Sequence, residues 1–393
     1  MKKRFMLGIS FLLLIASFSN VIAQEEIVIT HWYHQYGEDG TFEAVHRYAQ
    51  EYSDMTPGVT VEVSWLPDYF TALSAGMLSD DAPDVFEIQV ASIPMIEAGQ
   101  LEPLNDLFTE EILADFTETA LAPVTYEDNI YAVPMIVDTT LIYYRISLLE
   151  EAGIEPPTTM DELIAAAIAL DTGRVKGLYL GNDRGSVRHL LYNSSWAAGD
   201  DLLDGTTVAF NTERTVEAWA MKQELANSGA LLVGAPTEWA DPSAFIDGLT
   251  AMQFGGLWAM PRIIEAFGDY VGVLPWPALE EDGTPVVRIS GWSQAVNGQS
   301  DAIEESKAYD EWLWIQNTEV QTDWSLSYGF HIPPRASVAM EATALQDGIA
   351  AETVGFVLDY GRNVNSLWTG AMDSILQDAH SRVILQGADP VEE

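Results

Sequence analysis

Residues 27–88 read IVITHWYHQYGEDGTFEAVHRYAQEYSDMTPGVTVEVSWLPDYFTALSAGMLSDDAPDVFEI, and this stretch decides the fold class. Ile27-Val28-Ile29-Thr30 is a short β-rich run. From Thr41 the apolar residues fall at helical spacing, which predicts one face made of Phe42, Val45, Tyr48, Ala49 and Tyr52. Pro57-Gly58 marks a turn. Val59, Val61 and Val63 then alternate with polar residues, as a half-buried strand does. A second helix is predicted over about Tyr69–Leu78, and Pro83 precedes the strand Val85–Ile88. Strands alternating with helices predict βαβ units and a mainly parallel sheet.

The alternation continues outward from this stretch. Ile130–Val133 and Leu141–Tyr144 read as strands, and Pro156-Pro157 breaks the chain. Thr159-Met160-Asp161-Glu162 is a capping box opening an alanine-rich helix to about Leu170. Leu178–Leu180 reads as a strand, and Thr212 caps a helix to about Asn227. Ala251–Phe254 is strand-like, Gly255-Gly256 reads as a turn, and a helix follows Trp258. Val271–Leu274 is a strand stopped by Pro275 and Pro277, and the chain is mostly helical from about Ala302. No Gly/Ser-rich or Pro-rich linker splits the chain. That pattern suits two lobes joined by several crossings, expected near Val133–Asp138, Leu274–Ala278 and Gly329–Pro334.

Composition narrows the function classes. Lys2, Lys3 and Arg4 precede an apolar run over Phe5–Phe18, and Val21-Ile22-Ala23 ends on a small residue, so residues 1–23 read as a secretory leader. No later segment is apolar for long enough to span a bilayer, so no membrane insertion is expected after cleavage. The chain has no cysteine, so stability must come from its core and no lipid anchor is expected at the cleavage point. Three of the 17 basic residues and none of the 60 acidic ones lie in the leader, which leaves a net charge of −46. That balance argues against nucleic acid and against anionic membrane surfaces. The acids are spread along the chain, as on a solvated acidic surface.

Six segments, in order, resemble the extracellular solute-binding proteins of carbohydrate ABC importers, the maltose-binding group. Ile27–Trp32 is similar to that family's opening strand, and Ala82-Pro83-Asp84-Val85-Phe86 to its APDVF strand. Gly99–Leu104 resembles G-x-L-x-P-L. Tyr131–Pro134 followed by Leu141–Tyr144 resembles YAVP…LYYN, with Arg145 in place of Asn. Pro156–Glu162 resembles PPTTWDE, with Met160 in place of Trp. Phe245–Met252 and Gly256–Trp258 resemble F-x-x-G-x-x-A-M…G-x-W. The resemblance implies an α/β, two-lobed (type II) periplasmic-binding-protein fold. Its lobes are expected at 24–135 with 277–329 and at 136–276 with 330–393. It further implies a monomer, periplasmic or extracellular, that captures a sugar by lobe closure and passes it to the transmembrane subunits of a permease. No catalysis, cofactor or metal is implied.

Sugars have polar edges and apolar faces, so their sites combine flat aromatic rings with carboxylates or amides. The chain has 12 Trp. In open α/β sheets ligands bind beyond the carboxyl ends of strands. That rule points to Trp32, His34, Tyr36, Gln89 and Trp196, at strand or helix ends. The resemblance points to Asp138, Trp258, Trp292 and Trp368, with Trp292 standing between Gly291 and Ser293 where relatives carry a GG-x-S turn. Trp219, Trp312 and Trp324 sit at helical spacing and are expected to pack. Three rivals stand beside the sugar reading. A cationic solute such as a polyamine suits acids and aromatic rings. A secreted glycosidase needs two carboxylates flanking the sugar, but no segment resembles a catalytic acid motif. His31, His34 and Glu38 are the residues a metal would use, although the two histidines are expected to project differently.

Overall fold

The computed structural model describes residues 26–181, 184–233, 241–364 and 367–393; the leader expected at 1–23 lies outside them. The strands that matter are β1 (Ile27–His34), β2 (Val59–Leu66), β3 (Val85–Ile88), β4 (Val133–Arg145), β5 (Lys176–Tyr179), β6 (Thr250–Gly256), β7 (Val271–Leu274), β8 (Val287–Val296) and β9 (Gly361–Arg362). They form one mixed sheet in the order β2-β1-β3-β8-β4-β6-β5, with β7 beside β4 and β9 beside β8. Pairing is parallel for β1 with β2 and β3 and for β5 with β6, and antiparallel wherever β4 or β8 meets β3, β6 or β7.

The longer helices cover these strands: α1 (Thr41–Met55), α2 (Tyr69–Gly76), α3 (Met160–Leu170), α4 (Arg184–Ala197), α5 (Glu213–Ser228), α6 (Ile303–Glu311), α7 (Thr318–Leu326), α8 (Gly348–Tyr360) and α9 (Gly370–Gln386). Helix α3 starts at the expected capping box, with Thr159 accepting from the Glu162 N–H and Glu162 reaching back. Helix α1 buries Ala44, Val45, Tyr48, Ala49 and Tyr52, but Phe42 is exposed. Phe42 falls at the edge of the buried stripe, which starts with Thr41, and meets Trp65 edge-on.

Two local readings change. Of the strand expected at 130–133 only Val133 joins the long strand β4, while Ile130 pairs with Thr125 in a short hairpin. Strand β4 runs on unbroken through the expected 141–144, because twelve of its positions find a partner on one side or the other. Gly255-Gly256 does not turn but ends β6. Tyr143 donates to the Gly256 carbonyl at 2.9 Å, and the Trp258 ring lies where a Cβ on Gly256 would stand. Glycine there is required by close ring packing rather than by a turn.

The cores form two sets. One unites Ile29, Val45, Val85, Val133, Trp314 and Trp324 with a neighbour around Phe86, Leu101 and Ala295. The other unites Leu163, Leu178, Leu190, Trp219, Leu274 and Val286 with a neighbour around Tyr143, Val273, Val287 and Val357. Trp219 and Trp324 pack in these cores as expected, and Trp312 packs against Tyr52. The chain passes between the sets inside β4, inside β8 and near 328–332. There Val137 and Ile332 exchange backbone hydrogen bonds of 2.8 and 2.9 Å. In β8 the passage coincides with a bulge at Trp292/Ser293 and with Gly291 at φ 147°, where a Cβ would lie 2.2 Å from the Ile136 carbonyl oxygen.

Candidate ligand-binding site

The carboxyl ends of β1 and β3 adjoin because the strands are parallel and in register. This brings Glu87 under the loop that follows β1. Its buried carboxylate accepts from the His34 N–H and from His34 Nδ1, both at 2.7 Å, and from the Tyr36 hydroxyl at 2.5 Å. The Tyr69 hydroxyl donates to the Glu87 carbonyl at 2.6 Å. His34 is thereby fixed as a platform for Trp292, whose ring stacks on it at 4.0 Å and 22°. Phe70, half exposed on α2, also stacks on Trp292 at 5.7 Å. Burial, then the Glu87 charge, pushes the Tyr36 hydroxyl well above its ordinary range, so it stays a donor.

A second wall is built from α4 and α9. Residues 188, 192 and 196 recur one turn apart on α4 and share a face. Arg188 Nη1 lies 3.6 Å from Asp373. Asp373 also accepts from the Tyr192 hydroxyl and, at 2.8 Å, from Trp368 Nε1. The Trp368 ring stands edge-on to Tyr192 and Phe210, and Tyr192 meets Trp196 at 5.8 Å. The Arg362 guanidinium lies 5.4 Å over the Trp196 ring and pairs with Asp201. Arg288 is buried, donates to His189 Nε2 at 2.5 Å and lies 5.4 Å from the Tyr192 ring.

Between these walls runs a cleft. One part is lined by Gln89, Val90 and Thr119 on one side and by Arg288, Ser290, Gly291 and Asn363 on the other. The adjoining cavity, about 390 Å³, is lined by Ala122, Trp196, Asp201, Leu202 and Asn363. Gln89 spans the cleft, its amide oxygen accepting from Arg188 at 3.4 Å.

Gln89 and Trp196 therefore line the cleft, and Trp368 stands beside Tyr192 and Asp373. His34, Tyr36 and Trp292 form a cluster on the first wall. None of these last four is itself in the cleft lining, and the other three expected residues lie elsewhere. Trp32 packs on α2, where a Cβ on Gly76 would meet its ring at 2.6 Å. Trp258 is half-buried against Gly256. Asp138 is buried in β4 and accepts from His331 at 2.7 Å, and His331 also faces Glu38 at 3.4 Å. Arg188, Arg288, Arg362, Asp373 and Asn363 escape sequence reading, since no motif marks them. For the three arginines scarcity is the available signal, because only 17 Lys and Arg occur in the whole chain. His31 is buried beside Tyr309 while His34 turns to Glu87, so the two do not converge, and no cluster of metal-ligating residues occurs among the described residues.

The arrangement combines ring edges and faces with guanidinium forks and carboxylates, the groups that pair with sugar hydroxyls. Comparison with known proteins agrees with this chemistry. The family model for bacterial extracellular solute-binding proteins matches residues 47–353. The chain is 23% identical to a maltotriose-binding protein of Pyrococcus abyssi over 353 residues, 84% of this chain and 74% of that one. It is 27% identical to the GacH receptor of Streptomyces glaucescens, solved unliganded and with acarbose, at a TM-score of 0.75 covering 93% and 95% of the two chains. An ABC transporter solute-binding protein from Thermotoga lettingae bound to α-D-tagatose superposes at a TM-score of 0.79 with 20% identity, covering 93% and 96%.

Proposed function

The chain belongs to the bacterial extracellular solute-binding proteins, and on that premise we propose that it captures a sugar or oligosaccharide between two lobes and delivers it to the membrane permease of an ABC importer. The observation that carries this is the cleft between the two sets of cores, where Trp196, Gln89, Asp201 and Asn363 offer ring faces beside hydroxyl partners. The relatives' own ligands, maltotriose and acarbose, are of the same class.

Capture follows from closure. Residues from both walls contact a ligand only when the lobes approach, so the ligand favours the closed form. The ranges 24–135 with 277–329 and 136–276 with 330–393 are the starting division of the lobes. Packing of Leu279, Val286, Val287 and Ile289 with the second set of cores supports moving one crossing to about residue 290. Trp196, Gln89 and Trp368 are the proposed contacts from the expected set, and Arg188, Asp201, Asp373 and Asn363 join them. Asp138 is proposed to act at the crossing instead, through His331. The protein works outside the cytoplasm as its family does. We propose that residues 1–23 are removed, that it carries no lipid, and that it acts as a monomer without catalysis.

The polyamine reading is disfavoured by Arg288, which lines the cleft, pairs with no carboxylate among the described residues and repels an ammonium group. Thermal unfolding against mono- and oligosaccharides, with spermidine as control, tests the function. A sugar at 100-fold above its Kd adds about 2.7 kcal/mol, so one sugar class should raise Tm. A rise with spermidine alone would sink the sugar reading. Release of the aryl group from an aryl glycoside would return the protein to the glycosidases.

A further inference from the structure

The cleft holds a charge imbalance that a neutral sugar does not answer. Arg288 is buried and lines the cleft from β8, and Arg188 reaches into the same region from α4. Among the described residues the two share one carboxylate. Asp373 lies 3.6 Å from Arg188 and is already engaged by Tyr192 and Trp368. Arg288 pairs with no carboxylate there and donates to His189 instead.

His189 does not supply a negative charge. Burial, then the charges of Arg288 and Arg188, hold it well below the ordinary histidine range, so it is neutral. With its Nε2 lone pair toward Arg288, its Nδ1–H faces Thr140 Oγ1 at 3.1 Å. The Nε atoms of Arg188 and Arg288 are both buried without a hydrogen-bond partner. Burial and then Arg188 push Arg288 down to about 9, which reflects how poorly its charge is answered. A buried guanidinium with unfilled donors is costly unless something brings an anion to it. Among the described residues, Asp373 is the one carboxylate that stands at this pair.

We propose that the ligand is an anionic sugar, one bearing a carboxylate as a uronic acid residue does, whose charged oxygens are held by Arg188 and Arg288. This deepens the sugar-binding reading and rests on it. A planar carboxylate matches the guanidinium fork. A sugar phosphate shares that chemistry and is the alternative source of the charge.

Titration calorimetry of the mature chain at pH 7 tests the proposal with matched probes. These are digalacturonate beside galactobiose, a glucuronate-bearing xylotriose beside plain xylotriose, and galactose 6-phosphate. An acidic probe should bind at least about tenfold more tightly than its neutral parent. Arg188→Gln should abolish that preference and Arg188→Lys should keep part of it. Arg262→Gln, at a largely exposed arginine paired with Asp241, should leave it intact. Tightest binding of galactose 6-phosphate would uphold the anionic ligand and identify its group as phosphate. Neutral parents bound as tightly as their acidic partners would overturn the inference and leave the sugar reading standing. Binding of none of the probes would sink both.

Discussion

His331 sits between two carboxylates at the point where the chain passes between the two sets of cores. Burial alone would lower its pKa, but the charge and hydrogen bond of Asp138, then those of Glu38, push it up to about 10. Burial alone would likewise raise the Glu38 carboxyl, but His331 outweighs it and holds it low. A histidine raised in the folded state stabilises fully below its unfolded value of 6.5, and that stabilisation is lost as pH rises through about 10. His331→Gln should therefore cost roughly 3–5 kcal/mol at pH 6, with the gap to the wild type narrowing toward pH 10 in urea titrations. A gap that does not change with pH would show that the pairing is not ionic. Little of this scale is legible in the sequence. The resemblance points to Asp138 as a ligand contact, but its pairing with His331 is not legible, because the partner lies 193 positions away and no periodicity links them. Arg188 and Asp373, 185 positions apart, are illegible in the sequence for the same reason.

Elements were easier to read because their signals are local. The Thr159–Glu162 capping box lies within four residues, so it was visible in sequence and recurs in α3. Thr159→Ala should cost about 1 kcal/mol in a denaturation midpoint. Gly177 in β5 is different, since a Cβ there would lie 1.9 Å from the Ala167 carbonyl oxygen of α3. Gly177→Ala must push the helix off the strand and should cost several times more than the lost cap, roughly 3 kcal/mol or above. Equal losses for the two variants would contradict this packing. The sequence misled where tertiary pairing decides. The middle of β4 carries Pro134 and polar Asp138, Thr139 and Thr140, which interrupt the apolar pattern. The residues nonetheless stay extended because β8 pairs with Pro134, Asp138 and Thr139 and β6 takes over from Thr140. Gly255-Gly256 carries a turn signature, yet here it serves ring packing at the end of β6.

At the scale of the whole molecule, the α/β class and the family motifs were legible because strand–helix alternation runs through most of the chain. The cleft was legible only in outline. Its aromatic residues stand at element ends, but which of them face one another depends on how β4 and β8 pass between the two sets of cores. On the proposed function, a sugar is held between two lobes and draws them together. Small-angle X-ray scattering of the mature chain, without sugar and saturated with the sugar that raises Tm, tests it most directly. The prediction is a smaller radius of gyration on saturation, from a starting value near the ~21 Å expected for a chain of this size, with the change lost in Trp196→Ala at the same sugar concentration. An unchanged radius at proven saturation would mean that the sugar binds on one lobe alone, and would contradict capture by closure.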